Sequence, residues 1–187
     1  PQKYPRFRKN AAPAKLALDF SHLYHPRGIV GGDFFDIIPI SGTQAGVLIA
    51  DVTGHGVKAS LIVATMRGLI NQLSPATRDP AEFFTHLNRA YSSIFTQTVD
   101  MMLATALYLV IDVVSGRVLC SSAGHPPPFR LRRHSGAVEP IRFPEDIQGP
   151  GLGLYDTHSY RSLELQAEPG DLFLLYTDGL SDLTNRA

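Results

Sequence analysis

A chain of 187 residues, 44% of them hydrophobic, is long enough to bury one sizeable core and reads as a single domain. Its 17 Lys+Arg balance 17 Asp+Glu to a formal net charge of +0, which argues against nucleic acid or an anionic membrane surface as a partner. The single cysteine, Cys120, excludes an internal disulfide framework, and no apolar run approaches the length of a membrane span, so a cytoplasmic protein is expected.

Residues 1–14, which carry Lys3, Arg6, Arg8 and Lys9, read as a basic N-terminal tail or linker remnant, and residues 15–187 as the domain. Lys15 to Tyr24 reads as a first strand. Phe34 to Ile40 and Gly46 to Ala50 follow as a hairpin around Ser41-Gly42-Thr43. After the glycine-rich stretch Thr53-Gly54-His55-Gly56, the spacing of Val57, Leu61, Ala64, Leu69 and Leu73 predicts a helix. Asp79-Pro80, a capping acid with proline at the first helical position, predicts a second helix carrying Phe83, Phe84, Leu87, Ala90, Tyr91 and Ile94. From Leu103 onward strands dominate. Leu103 to Val114 and Arg117 to Ser122 read as one hairpin, Phe129 to Arg133 and Ala137 to Ile141 as a second, and Tyr160 to Leu165 and Leu172 to Tyr176 as a third. Hairpins imply antiparallel sheet with helices packed outside it, and the class is α+β.

Three motifs set aspartate beside glycine at the edge of an apolar strand: Gly31-Gly32-Asp33-Phe34-Phe35-Asp36, Ala50-Asp51-Val52-Thr53-Gly54-His55-Gly56 and Tyr176-Thr177-Asp178-Gly179. A strand fixes a carboxylate in space, and the glycines let a ligand approach the backbone. Any one motif alone reads more readily as an ordinary turn. Clustered carboxylates without a His/Cys set are hard oxygen ligands that suit Mg²⁺ or Mn²⁺ better than Zn²⁺. Cys120 sits in an apolar strand with Pro126 nearby rather than in a phosphate-binding loop, so it reads as a buried hydrophobe and not a nucleophile.

Taken in order, VGGDFFD (Val30 to Asp36), IADVTGHGVKAS (Ile49 to Ser60), LATALYLVID (Leu103 to Asp112), SAGHPPPF (Ser122 to Phe129) and PGDLFLLYTDGLSD (Pro169 to Asp182) resemble the PPM superfamily of metal-dependent Ser/Thr phosphatases, in its RsbU and sporulation branch. The resemblance implies an αββα sandwich, two antiparallel sheets face to face with helices outside, and a centre of two Mg²⁺ or Mn²⁺ ions at one end. Asp51 then corresponds to the aspartate that bridges both ions, with the backbone carbonyl of Val52 assisting. Asp33 resembles the acid of the first motif and Asp178 a ligand of one ion, with Asp36 a weaker candidate. The resemblance also implies a further ligand from a segment beyond Ala187, hence a domain truncated at its C-terminus.

His55, between two glycines beside Asp51, reads either as a catalytic group that protonates the leaving oxygen or orients water, or as a loop residue bonded to the backbone. His125, in Gly124-His125-Pro126, reads as structural. Arg27 and Lys58 are open candidates for holding phosphate. The implied substrate is a phosphorylated protein, such as a STAS-type anti-sigma-factor antagonist in a bacterial partner-switching pathway, and the implied full protein carries upstream sensor domains. Two rival readings remain: a non-catalytic binding or sensing module on the same fold, and a diguanylate cyclase suggested by Gly31-Gly32-Asp33. In the cyclase signature the fourth position is acidic, whereas here it is Phe34.

Overall fold

The structure, a computed structural model, describes residues 17–24, 31–54, 56–73, 78–95 and 102–180. Among these residues, eight strands and two α-helices run in the order β1 (Phe34–Pro39), β2 (Gln44–Val52), α1 (Gly56–Leu73), α2 (Pro80–Phe95), β3 (Ala104–Asp112), β4 (Arg117–Ala123), β5 (Phe129–Arg132), β6 (Ala137–Pro140), β7 (Leu163–Gln166) and β8 (Leu172–Leu174). A short 3-10 turn, Asp178–Leu180, follows. The strands form a five-stranded sheet, β1-β2-β3-β4-β7, and a three-stranded sheet, β6-β5-β8. Every pairing within the two sheets is antiparallel.

Side-chain alternation divides the larger sheet into two apolar faces. From β2 and β3, Leu48, Ala50, Val52, Ala104, Ala106, Tyr108 and Val110 pack with Ile62, Met66 and Ile70 of α1 and Phe83, Phe84, Leu87 and Tyr91 of α2. The intervening residues, Leu107, Leu109 and Ile111, join Val118 and Cys120 of β4 and meet Phe173 of β8 and Leu175 just after it. Helices, large sheet and small sheet are thus stacked in that order, with an apolar layer at each boundary. This is the expected α+β sandwich of two antiparallel sheets, and both described α-helices cover the outer face of the larger one.

Both helices form where expected. Asp79 caps α2 by accepting the Ala81 N–H on Oδ1 at 2.8 Å, and Pro80 occupies the first helical position. The buried stripe of α1 differs from the one the periodicity selected. Ala59, Ile62, Met66 and Ile70 face the core, while Val57 and Leu61 are exposed. This helix is apolar on more than one face, so spacing alone does not say which face meets the sheet.

Two strand expectations need correction. Residues 17–24 form no strand, and Lys15 and Leu16 lie outside the described residues. Leu18 packs against the layer between the sheets and Phe20 against Ala45 and Val113, but Leu23 is 85% exposed and the segment joins neither sheet. Apolar anchoring has replaced ladder pairing there. The third hairpin is also not one: β7 pairs with β4, while β8 pairs with β5. The turn Glu168 to Asp171 therefore carries the chain from one sheet to the other. Arg130 of β5 clasps it, with Nε 3.1 Å from Asp171 Oδ2 and Nη2 2.7 Å from the Gln166 carbonyl, and the two charged side chains are only 5% and 2% exposed.

Candidate metal centre

Strand register builds the site. The β1–β2 ladder pairs Phe34 with Ala50, so one step further the same register sets Asp33 opposite Asp51. The ladder does continue, since the Val52 N–H donates to the Gly32 carbonyl at 3.3 Å. Across β2, Asp51 pairs with Thr105 of β3, on the face that lines the space between the sheets. Apolar residues fill that space up to Ile49 and Leu107, and at Asp51 and Thr105 it turns polar. Asp178 arrives from the other sheet, four residues after β8 ends at Leu174.

Asp51 carries the electrostatic signature of this convergence. Burial pushes its carboxyl up, to about 7, and the charge of Asp33, a hydrogen bond shared with Asp33, and the charge of Asp178 push the same way. Only the Val52 backbone N–H works against them. Thr177 Oγ1 donates to Asp33 Oδ2 at 3.2 Å, which links the motifs of the two sheets directly. Tyr24 Oη donates to the Asp33 backbone carbonyl at 3.2 Å. Sequence reasoning missed Thr177 although it stands beside Asp178, because a threonine in a turn gives no sign of a partner 144 residues away.

The donor set suits a hard divalent cation. Crowded, half-buried carboxylates of like charge are what a cation relieves, and all donors are oxygens. Gly32 adds a second indication: a Cβ there would stand 2.6 Å from the Val52 carbonyl oxygen and 3.4 Å from Asp51 Oδ1. The missing side chain leaves both oxygens uncovered. Among the described residues, no three His, Cys, Asp or Glu side chains close into a finished ligand set. Asp33 and Asp51 form the tight pair, and Asp178, exposed on its turn, acts on Asp51 through its charge.

Other candidates fall elsewhere. Asp36 stays outside the cluster: its Oδ1 accepts the Ile37 N–H at 2.8 Å, and its charge acts on Tyr108, two strands away on the helix side. Lys58 lies exposed in the first turn of α1. His55 and Arg27 lie outside the described residues, as do residues 1–14. Cys120 is buried between the sheets, where burial pushes its thiol well above the usual range.

His125 is 2% exposed, and burial pulls its imidazole down to about 4 even though the Tyr176 carbonyl and the Asp178 charge favour the proton. Its reference value is 6.5, so between pH 6.5 and about 4 the unfolded chain binds a proton that the folded chain does not. Stability from this group is fully present above pH 6.5 and is lost as pH falls toward 4, by roughly 3 kcal/mol at most. Urea midpoints of the wild type should fall across that window, and those of His125→Gln should fall less. Parallel curves would mean that the imidazole is not held neutral.

Comparison with known proteins agrees with this architecture. Residues 41–187 match the family described as Stage II sporulation protein E (SpoIIE), a span that takes in Asp51 and Asp178. The phosphoserine phosphatase RsbP of Bacillus subtilis is 28% identical over 183 residues, covering 96% of this chain and 44% of that protein. The phosphoserine phosphatase RsbU of the same organism is 25% identical over 171 residues, covering 91% of this chain and 48% of that protein. Among solved structures, the RsbU and RsbW domains of a Mycobacterium tuberculosis protein superpose with a TM-score of 0.71 at 25% identity, covering 86% of this chain and 42% of that one. The chain spans less than half the length of each of these proteins. With a match that covers most of its length, the chain belongs to the SpoIIE family, the RsbU and sporulation branch of the PPM-type phosphatase fold.

Proposed function

We propose that this chain is a cytoplasmic protein phosphatase that hydrolyses phosphoserine or phosphothreonine, using two Mg²⁺ or Mn²⁺ ions held around Asp33, Asp51 and Asp178. The observation that carries the reading is the convergence of the three motifs at the mouth of the space between the sheets: the register sets Asp33 against Asp51, Thr177 ties Asp33 to the Asp178 turn, and burial, aided by the charges of Asp33 and Asp178, raises Asp51 to about 7. Asp33, Asp51, Asp178 and the Val52 carbonyl are the groups of this chain that would hold the ions. Ligands from outside the described residues would complete the shells.

What divalent cations supply in such a site is Lewis acidity, which brings the pKa of water toward neutrality and offsets charge on the phosphoryl oxygens. The chain's own residues hold and shape. Thr177 fixes the Asp33 carboxylate by donating to Oδ2, and Gly32 keeps the backbone clear of the Val52 oxygen. Cys120 contributes nothing to bond making, being sealed between the sheets as a neutral thiol. His55 is proposed to serve the leaving oxygen or the attacking water.

The substrate proposed is a phosphorylated STAS-type anti-sigma-factor antagonist in a partner-switching pathway, and the similarity to RsbP and RsbU supports that choice. The test is phosphate release from a phosphorylated STAS-domain protein in the presence of Mn²⁺. Activity should vanish with EDTA, return with Mn²⁺ or Mg²⁺, and survive thiol alkylation. Turnover that resists EDTA and fails on alkylation would overturn the metal reading. Tight binding of the phosphoprotein without phosphate release would instead favour a non-catalytic docking module.

The cyclase alternative loses its basis. Gly31-Gly32-Asp33 does precede the β1–β2 hairpin, but the register sets Asp33 against Asp51, and the family match leaves no place for that chemistry.

A further inference from the structure

We infer that His125 is a positioning residue that fixes the separation between the Asp51 end of the larger sheet and the Asp178 turn of the smaller one. The inference rests on the reading that these aspartates hold the cations.

The geometry is a three-residue relay across the gap between the sheets. His125 Nδ1 lies 3.0 Å from Thr105 Oγ1, and Nε2 lies 3.0 Å from the Tyr176 carbonyl oxygen. A carbonyl only accepts, so Nε2 carries the proton and Nδ1 must accept from the threonine hydroxyl. One tautomer satisfies both bonds, and burial keeps the ring neutral so that it persists. One end of the relay touches a site strand and the other the segment that leads to Asp178. Thr105 is the direct cross-strand partner of Asp51, and Tyr176 precedes Asp178 by two residues.

The backbone around His125 is built to hold that pose. The Ser122 hydroxyl donates to the His125 carbonyl at 3.3 Å. Gly124 has φ of +68° and packs so closely on Gly151 that a Cβ would lie 2.9 Å from the Gly151 nitrogen. Tyr176, whose carbonyl receives the bond, stacks on Phe129 at 5.7 Å. Direct covalent continuity between the sheets at this point is a proline run, Pro126 to Pro128, which contributes no backbone N–H donors. The imidazole therefore adds a second polar link across the gap, beside the bond from Thr177 to Asp33. Outer partners of ligating groups tune metal affinity, and a relay that touches no reacting atom should act through that affinity.

Two variants and two readouts test this. His125→Gln removes the two-ended bridge, while Thr105→Val removes one donor and keeps the strand shape. Mn²⁺ affinity by calorimetry should weaken by roughly 10- to 100-fold in the first and less in the second, with kcat recovering at saturating Mn²⁺. In the metal-free chain, Thr105→Val should shift the amide signals of Thr177 and Asp178 on the opposite sheet. Lower thermal stability with unchanged Mn²⁺ affinity would overturn the inference, as would unmoved Thr177 and Asp178 amides. A wild-type chain that shows the amide coupling but binds no Mn²⁺ would instead sink the metal reading, and the positioning role would fall with it.

Discussion

Asp51→Asn is expected to reduce kcat by roughly 10³-fold or more at saturating Mn²⁺, beyond the 10- to 100-fold typical of losing an outer partner. The reason is its position: it is paired with Asp33, influenced by Asp178 and followed by the Val52 carbonyl, so its removal disturbs every contact proposed for the ions. The fold should survive, and the metal-free chain should become more stable near neutral pH. The sign follows from linkage. A carboxyl whose folded value is raised binds its proton more readily in the folded state, so its stabilising effect is lost as pH rises from 3.8 through about 7. An amide carries no such repulsion. Phosphate release and thermal midpoints measured together check both halves, and near-wild-type turnover would remove Asp51 from the centre.

This opposition between activity and stability also shows what could be read from the sequence. The three aspartate motifs were legible because each joins a strand end to glycine, a local pattern with a local cause. Their convergence needs the register of β1 on β2 and the crossing to the second sheet, neither of which is written in a short motif. The 168–171 turn has the composition of a hairpin turn, and Pro169-Gly170-Asp171 gives no sign that the flanking strands belong to different sheets. That depends on Arg130, 41 residues earlier, and on which strands already have partners. The face of α1 was unreadable for a similar reason, since both of its stripes are apolar. His125 was legible as structural from its Gly-Pro setting, but the two partners that make it a bridge come from positions 20 and 51 residues away.

The crossover turn leads to the second large effect, which tests the assembly of the two sheets rather than the chemistry. Asp171→Ala leaves the Arg130 guanidinium buried without its counter-charge, over the ring of Phe173 at 5.8 Å. Removing one partner of a buried pair costs about 3–5 kcal/mol, and the thermal midpoint should fall by roughly 6–20 °C for a chain of this length. The exposed Arg132–Glu139 pair is the natural control, because solvent screens it and its truncation should leave the thermal midpoint nearly unchanged. The pH dependence has a defined sign. Burial alone would raise Asp171, but the Glu168 N–H and the bonds and charge of Arg130 outweigh it and hold the carboxyl below its ordinary value. Its stabilising effect is therefore present above the ordinary carboxylate range and is lost as pH falls through the lowered value. Arg130→Met combined with Asp171→Leu should recover most of the loss, because an apolar pair can replace a buried ionic one. Recovery should stop short of complete, since the Gln166 carbonyl and the Glu168 N–H would both lose partners. A single mutant as stable as the wild type would mean that the clasp does not hold the sheets together, and the crossover would have to be secured by apolar packing alone.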